Sequence, residues 1–213
     1  MEMKQVSDHC FAVLNEKNRV CDANSGLINL GGGVVIDTQS DLPHARQMIE
    51  MFSKVWPAMP KRVVNTHEDG DHVWGNQLFE GAEIIAHRLV PERMKHVANP
   101  EETRKLLHGV ADGPTRQALE AMHPGVAAVG LQLSEDYNLD GVELVLPSIL
   151  FDTRYELDLD GTEVPDLCRA VPSGRGHDHP CTQGARGVRR RRPFPAVYAD
   201  GLDGIIRKVV PVH

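Results

Sequence analysis

The 213-residue chain is 41% apolar and 25% charged, with a formal net charge of −7. That balance belongs to one soluble globular domain and excludes a disordered, fibrous or membrane-spanning chain. Its longest apolar stretches, such as Gly33-Val34-Val35-Ile36, fall far short of the ~20 residues a membrane helix needs. Met1-Glu2-Met3-Lys4-Gln5 leads into no secretory apolar core, so a cytoplasmic location is expected. Cysteines at 10, 21, 168 and 181 form neither a CxxC pair nor a dense framework, which leaves reduced thiols as the default and no redox role.

In chain order, His9–Leu14 and Arg19–Cys21 read as short strands. Ser25–Leu30 and Gly33–Asp37 follow as two more, separated by a glycine turn. From Asp41 the spacing changes: Leu42, Ala45, Met48, Ile49, Phe52 and Val55 share one helical face, with Ser40 or Asp41 placed to cap it and Pro57 and Pro60 ending it. Arg62–Thr66 is a short buried-strand signal that runs directly into a polar loop, a position where α/β folds present chemistry. Ala82–Ala86 reads as a further strand. Residues 91–135 hold at least two helical stretches divided by Pro100 and Pro114, and Phe151–Val164 alternates as a hairpin around Asp158-Leu159-Asp160-Gly161.

The loop carries the chemistry. Within six residues, His67, Asp69, Asp71 and His72 offer two imidazoles and two carboxylates, which are good ligands for a divalent metal, and Gly70 lets the backbone fold tightly between them. The competing reading is a solvated acidic turn. His87, His96, His108 and His123 show no ligand spacing and read as surface or packed side chains, while Trp74 is expected beneath the loop.

The run Thr66-His67-Glu68-Asp69-Gly70-Asp71-His72-Val73-Trp74-Gly75-Asn76, after a strand and after the strand-ending Asp37, resembles the T-H-x-H-x-D-H loop of the metallo-β-lactamase superfamily. One departure is plain: Asp69 stands where the second histidine normally does. The resemblance implies an α/β (α+β) fold of the αββα sandwich type, with residues 1–164 forming its N-terminal part. It implies a first metal held by His67, the residue at 69 and a later histidine, and a second held by Asp71 and His72. Zinc, as one or two ions, is the first expectation, and the carboxylate at 69 makes iron or manganese admissible. The implied activity is metal-assisted hydrolysis of an ester, amide, thioester or similar bond in a small molecule, with Asp71 the catalytic residue that orients the attacking hydroxide. A non-catalytic protein keeping a partial metal site is the alternative.

Composition shifts at Pro165. From there nine Lys/Arg stand against four Asp/Glu, leaving 14 against 26 before it, and residues 165–200 show neither strand nor helix periodicity. The superfamily's later G-x-x-H-x-x-G-D-T and A-G-D motifs are not present as written. Read one base later, however, the codons for Arg169–His177 admit G-P-C-H-Q-V-G-D-T, and those for Gly187–Phe194 admit V-F-A-G-D-V-L-F. A frameshift after about Val164 is therefore expected. It would leave residues 165–213 as a basic remainder of the same domain, its second half incomplete or disordered, with Pro172 and Arg191 in place of the lost histidine and aspartate ligands. A nucleic-acid-binding tail built on Arg186 and Arg189–Arg192 is a rival reading, disfavoured because no stacking aromatics are interleaved and the body is acidic.

Overall fold

A computed structural model describes residues 1–17, 19–111 and 113–169, without the side chains of 114, 115 and 162–169. Expectations that fall on residues 170–213, the later motifs and the arginine run among them, lie outside the described residues.

Seven strands form one sheet in chain order: β1 (Glu2–Gln5), β2 (Cys10–Leu14), β3 (Ser25–Ile28), β4 (Val34–Ile36), β5 (Arg62–Val64), β6 (Glu83–His87) and β7 (Ile149–Phe151). The first four strands pair antiparallel, as hairpins must, and from β4 onward the pairing is parallel. The crossover from β4 to β5 is α1 (Leu42–Ser53), whose N-cap is Asp41: its side chain accepts from the His44 backbone N–H at 2.8 Å.

Strand periodicity sorts the core. Cys10, Ala12, Ile28, Val34, Ile36, Val64 and Ile85 face one side, and Phe11, Val13, Leu27, Val35, Val63 and Ile84 face the other. Met48 and Phe52 of α1 cover the second face. The first is covered by Leu157 and Leu159 of β8 (Arg154–Leu159), which pairs antiparallel with β9 (Thr162–Arg169). Asp160 and Gly161, both at positive φ, make the two-residue turn between them. Helix, sheet and the first hairpin of a second sheet are thus stacked as the αββα expectation requires. Because the central strands are buried on both faces, Val34-Val35-Ile36 reads as a continuous apolar run instead of an alternating one.

Four helices occupy the stretch between β6 and β7: α3 (Val90–Val97), α4 (Pro100–Ala111), α5 (Pro114–Met122) and α6 (Pro124–Asp136). Pro100, Pro114 and Pro124 each open a helix, a place where the missing N–H costs nothing. No helix among the described residues is long and apolar enough to cross a membrane.

One strand expectation is overturned. Arg19–Cys21 lies in a turn, with Cys21 in the left-handed region at φ 64°. Asp22 organises this turn: Arg19 and the Tyr137 hydroxyl both donate to it, and Arg19 also reaches Asp136 at 2.6 Å. β1, unanticipated, is an edge strand of mostly exposed residues, and β9 runs on beyond Val164 to Arg169.

Candidate metal centre

Parallel pairing of β4 with β5, with Ile36 opposite Val64, brings the residues that follow these strands to one edge of the sheet. Asp37 leaves β4 there, at φ 57°, and its N–H donates to the Val64 carbonyl at 2.9 Å. Asn65, Thr66 and His67 leave β5 beside it, and the chain then forms α2 (Gly70–Val73), a single turn carrying Asp71 and His72. Asp69 is the N-cap residue of α2, yet its side chain makes no capping bond.

His72 is buried, and its two nitrogens meet different carboxylates: Nδ1 lies 2.8 Å from Asp37 Oδ2 and Nε2 lies 3.3 Å from Asp71 Oδ2. His67, also buried, is arranged in parallel. Its Nδ1 is 2.9 Å from Thr66 Oγ1 and its Nε2 is 3.4 Å from Asp69 Oδ2. The two rings are 3.9 Å apart at their centroids and inclined by 51°.

Asp37 accepts three hydrogen bonds, from the Thr66 N–H at 2.8 Å, the Thr66 hydroxyl at 2.7 Å and His72 Nδ1. A carboxylate can only accept, so the proton of His72 is placed on Nδ1. The Thr66 hydroxyl, donating to Asp37, is left to accept from His67 Nδ1. Both histidines are thereby fixed with Nε2 directed at Asp69 and Asp71. This is the arrangement by which a neighbouring acceptor sets tautomer and ring orientation in metal-ligating histidines.

Asp37, His67 and His72 each place a ligand-type atom within 4.8 Å of the others, all three buried, and so form a metal-capable group. Asp37 accepts from Thr66 and His72, and so orients the ligands from beneath. Of the four residues singled out by sequence, His67 and His72 belong to that buried group, and Asp69 and Asp71 lie beside their Nε2 atoms and are the more exposed, Asp69 most of all at 34%. Oxygen and imidazole donors at such spacing suit a divalent ion.

The electrostatics follow from this crowding. Burial alone would lower the His72 pKa, but the charges of Asp37 and Asp71 and their hydrogen bonds outweigh it and raise the group to about 10. Burial pushes the Asp37 carboxyl upward, and the His72 charge and hydrogen bond more than reverse that. Cys21, in the turn that passes the site, is pushed up to about 12 by burial and then by Asp71 and Asp69, so its thiol stays protonated.

A second network fixes α2 from the sheet side. The His72 carbonyl accepts from the Thr38 N–H at 2.8 Å and from the Thr38 hydroxyl at 3.2 Å. Asn76 accepts from both Thr38 and Asn65 and donates to Asn65 and to the Val145 carbonyl. Gly75 passes so near that a Cβ there would sit 2.0 Å from the Thr38 carbonyl oxygen, which accounts for the Gly75-Asn76 pair after the loop. At Gly70 a Cβ would meet the Trp74 indole at 2.2 Å, and that indole is buried beneath α2 as expected. His87, His96, His108 and His123 contribute no metal-capable group among the described residues.

Residues 18–191 match the family model of the metallo-beta-lactamase superfamily, and the chain belongs to that superfamily. Among solved structures it is similar to the metallo-beta-lactamase from Pontibacter korlensis, at 13% identity and a TM-score of 0.46, over 76% of this chain and 57% of that one. The chain therefore spans less than two thirds of that protein's length. No curated protein matches.

Proposed function

We propose that this protein is a metal-dependent hydrolase acting on a small molecule with an ester, amide, thioester or similar bond. The observation that supports the reading most directly is the doubled arrangement at the site: two buried histidines, each with Nδ1 held from behind and Nε2 facing a carboxylate. His67 and Asp69 would hold one ion and Asp71 and His72 another, zinc being the first candidate and iron or manganese the others. A divalent ion in this position supplies Lewis acidity and lowers the pKa of a water toward ~7.

The chain's own part is orientation. Asp71 is only 13% exposed and lies beside His72 Nε2, so its carboxylate can accept a hydrogen bond from the attacking water and aim a lone pair at the electrophile. Asp37 and Thr66 keep the imidazoles from turning, so this geometry costs no reorganisation during reaction. The test is hydrolysis of a panel of esters, thioesters, lactones and β-lactams, after chelation and then restoration of metal. Activity that returns with metal, and that Asp71→Asn lowers far more in kcat than it raises in KM, would support the reading. Tight metal uptake with no turnover on any member would favour a non-catalytic protein.

A further inference from the structure

The short helix α2 is tied at both ends to α3. Before it, Glu68 Oε1 accepts from Arg93 Nη1 at 3.3 Å. After it, Trp74 Nε1 donates to the Ala98 carbonyl at 2.9 Å. Val73 and Trp74 also pack in one apolar cluster with Val90 and Met94 of α3 and with Ala98 just beyond it. A single helical turn cannot hold its own shape. On the sheet side α2 is held through the His72 carbonyl, and on the other side these contacts with α3 add to an apolar cluster that also includes Leu107, Leu139 and Val142.

Glu68 is the unexpected member of this set. It lies between His67 and Asp69, is only 7% exposed, and its Oε2 finds no hydrogen-bond partner among the described residues. A buried carboxylate beside two further acids is costly, and an apolar side chain would serve packing at least as well. Its presence there calls for a task that packing does not explain.

We infer that Arg93 and Glu68 form a positioning pair through which α3 splints the metal-binding turn, setting where Asp71 and His72 present their ligand atoms. This inference rests on the metal reading of the loop. The tie to Arg93, more than the negative charge of Glu68, is what matters. Removing either partner frees the leading end of α2 while Trp74 still holds the trailing end, so the ligands lose their preset spacing without loss of the fold.

The experiment is Zn2+ titration of the 213-residue chain, against a chromophoric chelator, with thermal unfolding of the metal-free protein measured alongside. Arg93→Ala and Glu68→Ala should each weaken Zn2+ binding by about tenfold or more, the range found for partners that orient metal ligands. The double variant should be no weaker than either single one. Glu68→Gln keeps an acceptor for Arg93 and should stay close to the unaltered affinity, and Arg93→Lys should recover part of it. Hydrogen exchange of the 67–72 amides in metal-free Arg93→Ala protein should quicken. Unchanged affinity in both alanine variants, additive losses, or a Glu68→Gln variant as weak as Glu68→Ala would overturn the inference. If the unaltered chain takes up no Zn2+, the metal reading fails first, and the exchange measurement alone then decides whether α3 braces the turn.

Discussion

His72 Nδ1 lies 2.8 Å from Asp37 Oδ2, and both side chains are buried beneath the loop that carries the other ligand-type residues. The contact joins the end of one parallel strand to a helix that follows the next, and it fixes which nitrogen of His72 faces outward. Asp37→Ala would leave the Thr66 N–H, the Thr66 hydroxyl and the imidazole without their shared acceptor. The expected cost is about 3 kcal/mol of stability, as for a broken buried pair, with metal affinity falling about 10–100-fold. Chemical denaturation and chelator competition on the same sample check both, and a variant unchanged in affinity would show that Asp37 does not orient His72.

The glycines divide by what surrounds them. Gly75→Ala would force a Cβ to 2.0 Å from the carbonyl oxygen of Thr38, whose N–H and hydroxyl both bond to the His72 carbonyl, and should destabilise by about 3 kcal/mol or more. Gly125→Ala in α6 meets nothing within 4 Å and should be neutral or stabilising by up to about 1 kcal/mol. Paired melting curves check the contrast, and equal effects would contradict the close approach at Gly75.

Asp22 gives a pH signature from a residue that is not itself one of the candidate metal ligands. Burial works to raise its pKa, but hydrogen bonds from Arg19 and Tyr137 outweigh it and hold the carboxyl below its ordinary range. A folded-state value below the unfolded one gives stability that is complete above about pH 4 and lost as pH falls through the folded value. Asp22→Asn should therefore be less stable at neutral pH and lose stability less steeply below about pH 4. Denaturation midpoints across that range check the slope, and parallel curves for the two proteins would contradict the role given to Asp22.

Much of the sheet is legible in the sequence because its central strands, Val34–Ile36 and Arg62–Val64, are short apolar runs bounded by turn residues, and α1 carries a clear stripe with Asp41 before it. β1 escapes because an exposed edge strand such as Glu2–Gln5 has no buried face to impose a pattern. Arg19–Cys21 looks like a strand from its residues alone. Its turn is set by Asp22 and by Tyr137, more than a hundred residues away, through contacts that local propensity does not encode. The same division holds at the site. His67, Asp69, Asp71 and His72 fall within six residues and are visible at once, whereas the hold of Asp37 on His72 depends on strand pairing, and Glu68 has meaning only after α3 brings Arg93 to it.

The abrupt shift to Arg, Pro and Gly after Val164 makes a prediction about the gene. DNA sequencing across the codons for Asp160–Asp166 should find one base gained or lost relative to the frame that encodes the later histidine and aspartate motifs. A protein expressed with that frame restored should bind metal more tightly than the chain as written, because it regains a histidine and a bridging carboxylate. An intact frame with no such open alternative would contradict the reading.

The most direct test of the central claim is divalent-metal uptake by the unaltered chain, measured by elemental analysis after dialysis and by Zn2+ titration. Uptake should be lost in His67→Ala and in His72→Ala, and should persist in His96→Ala, whose ring stands exposed beside Glu92. Metal content that is the same in all four proteins would contradict the account and remove the His67–His72 loop as a metal centre.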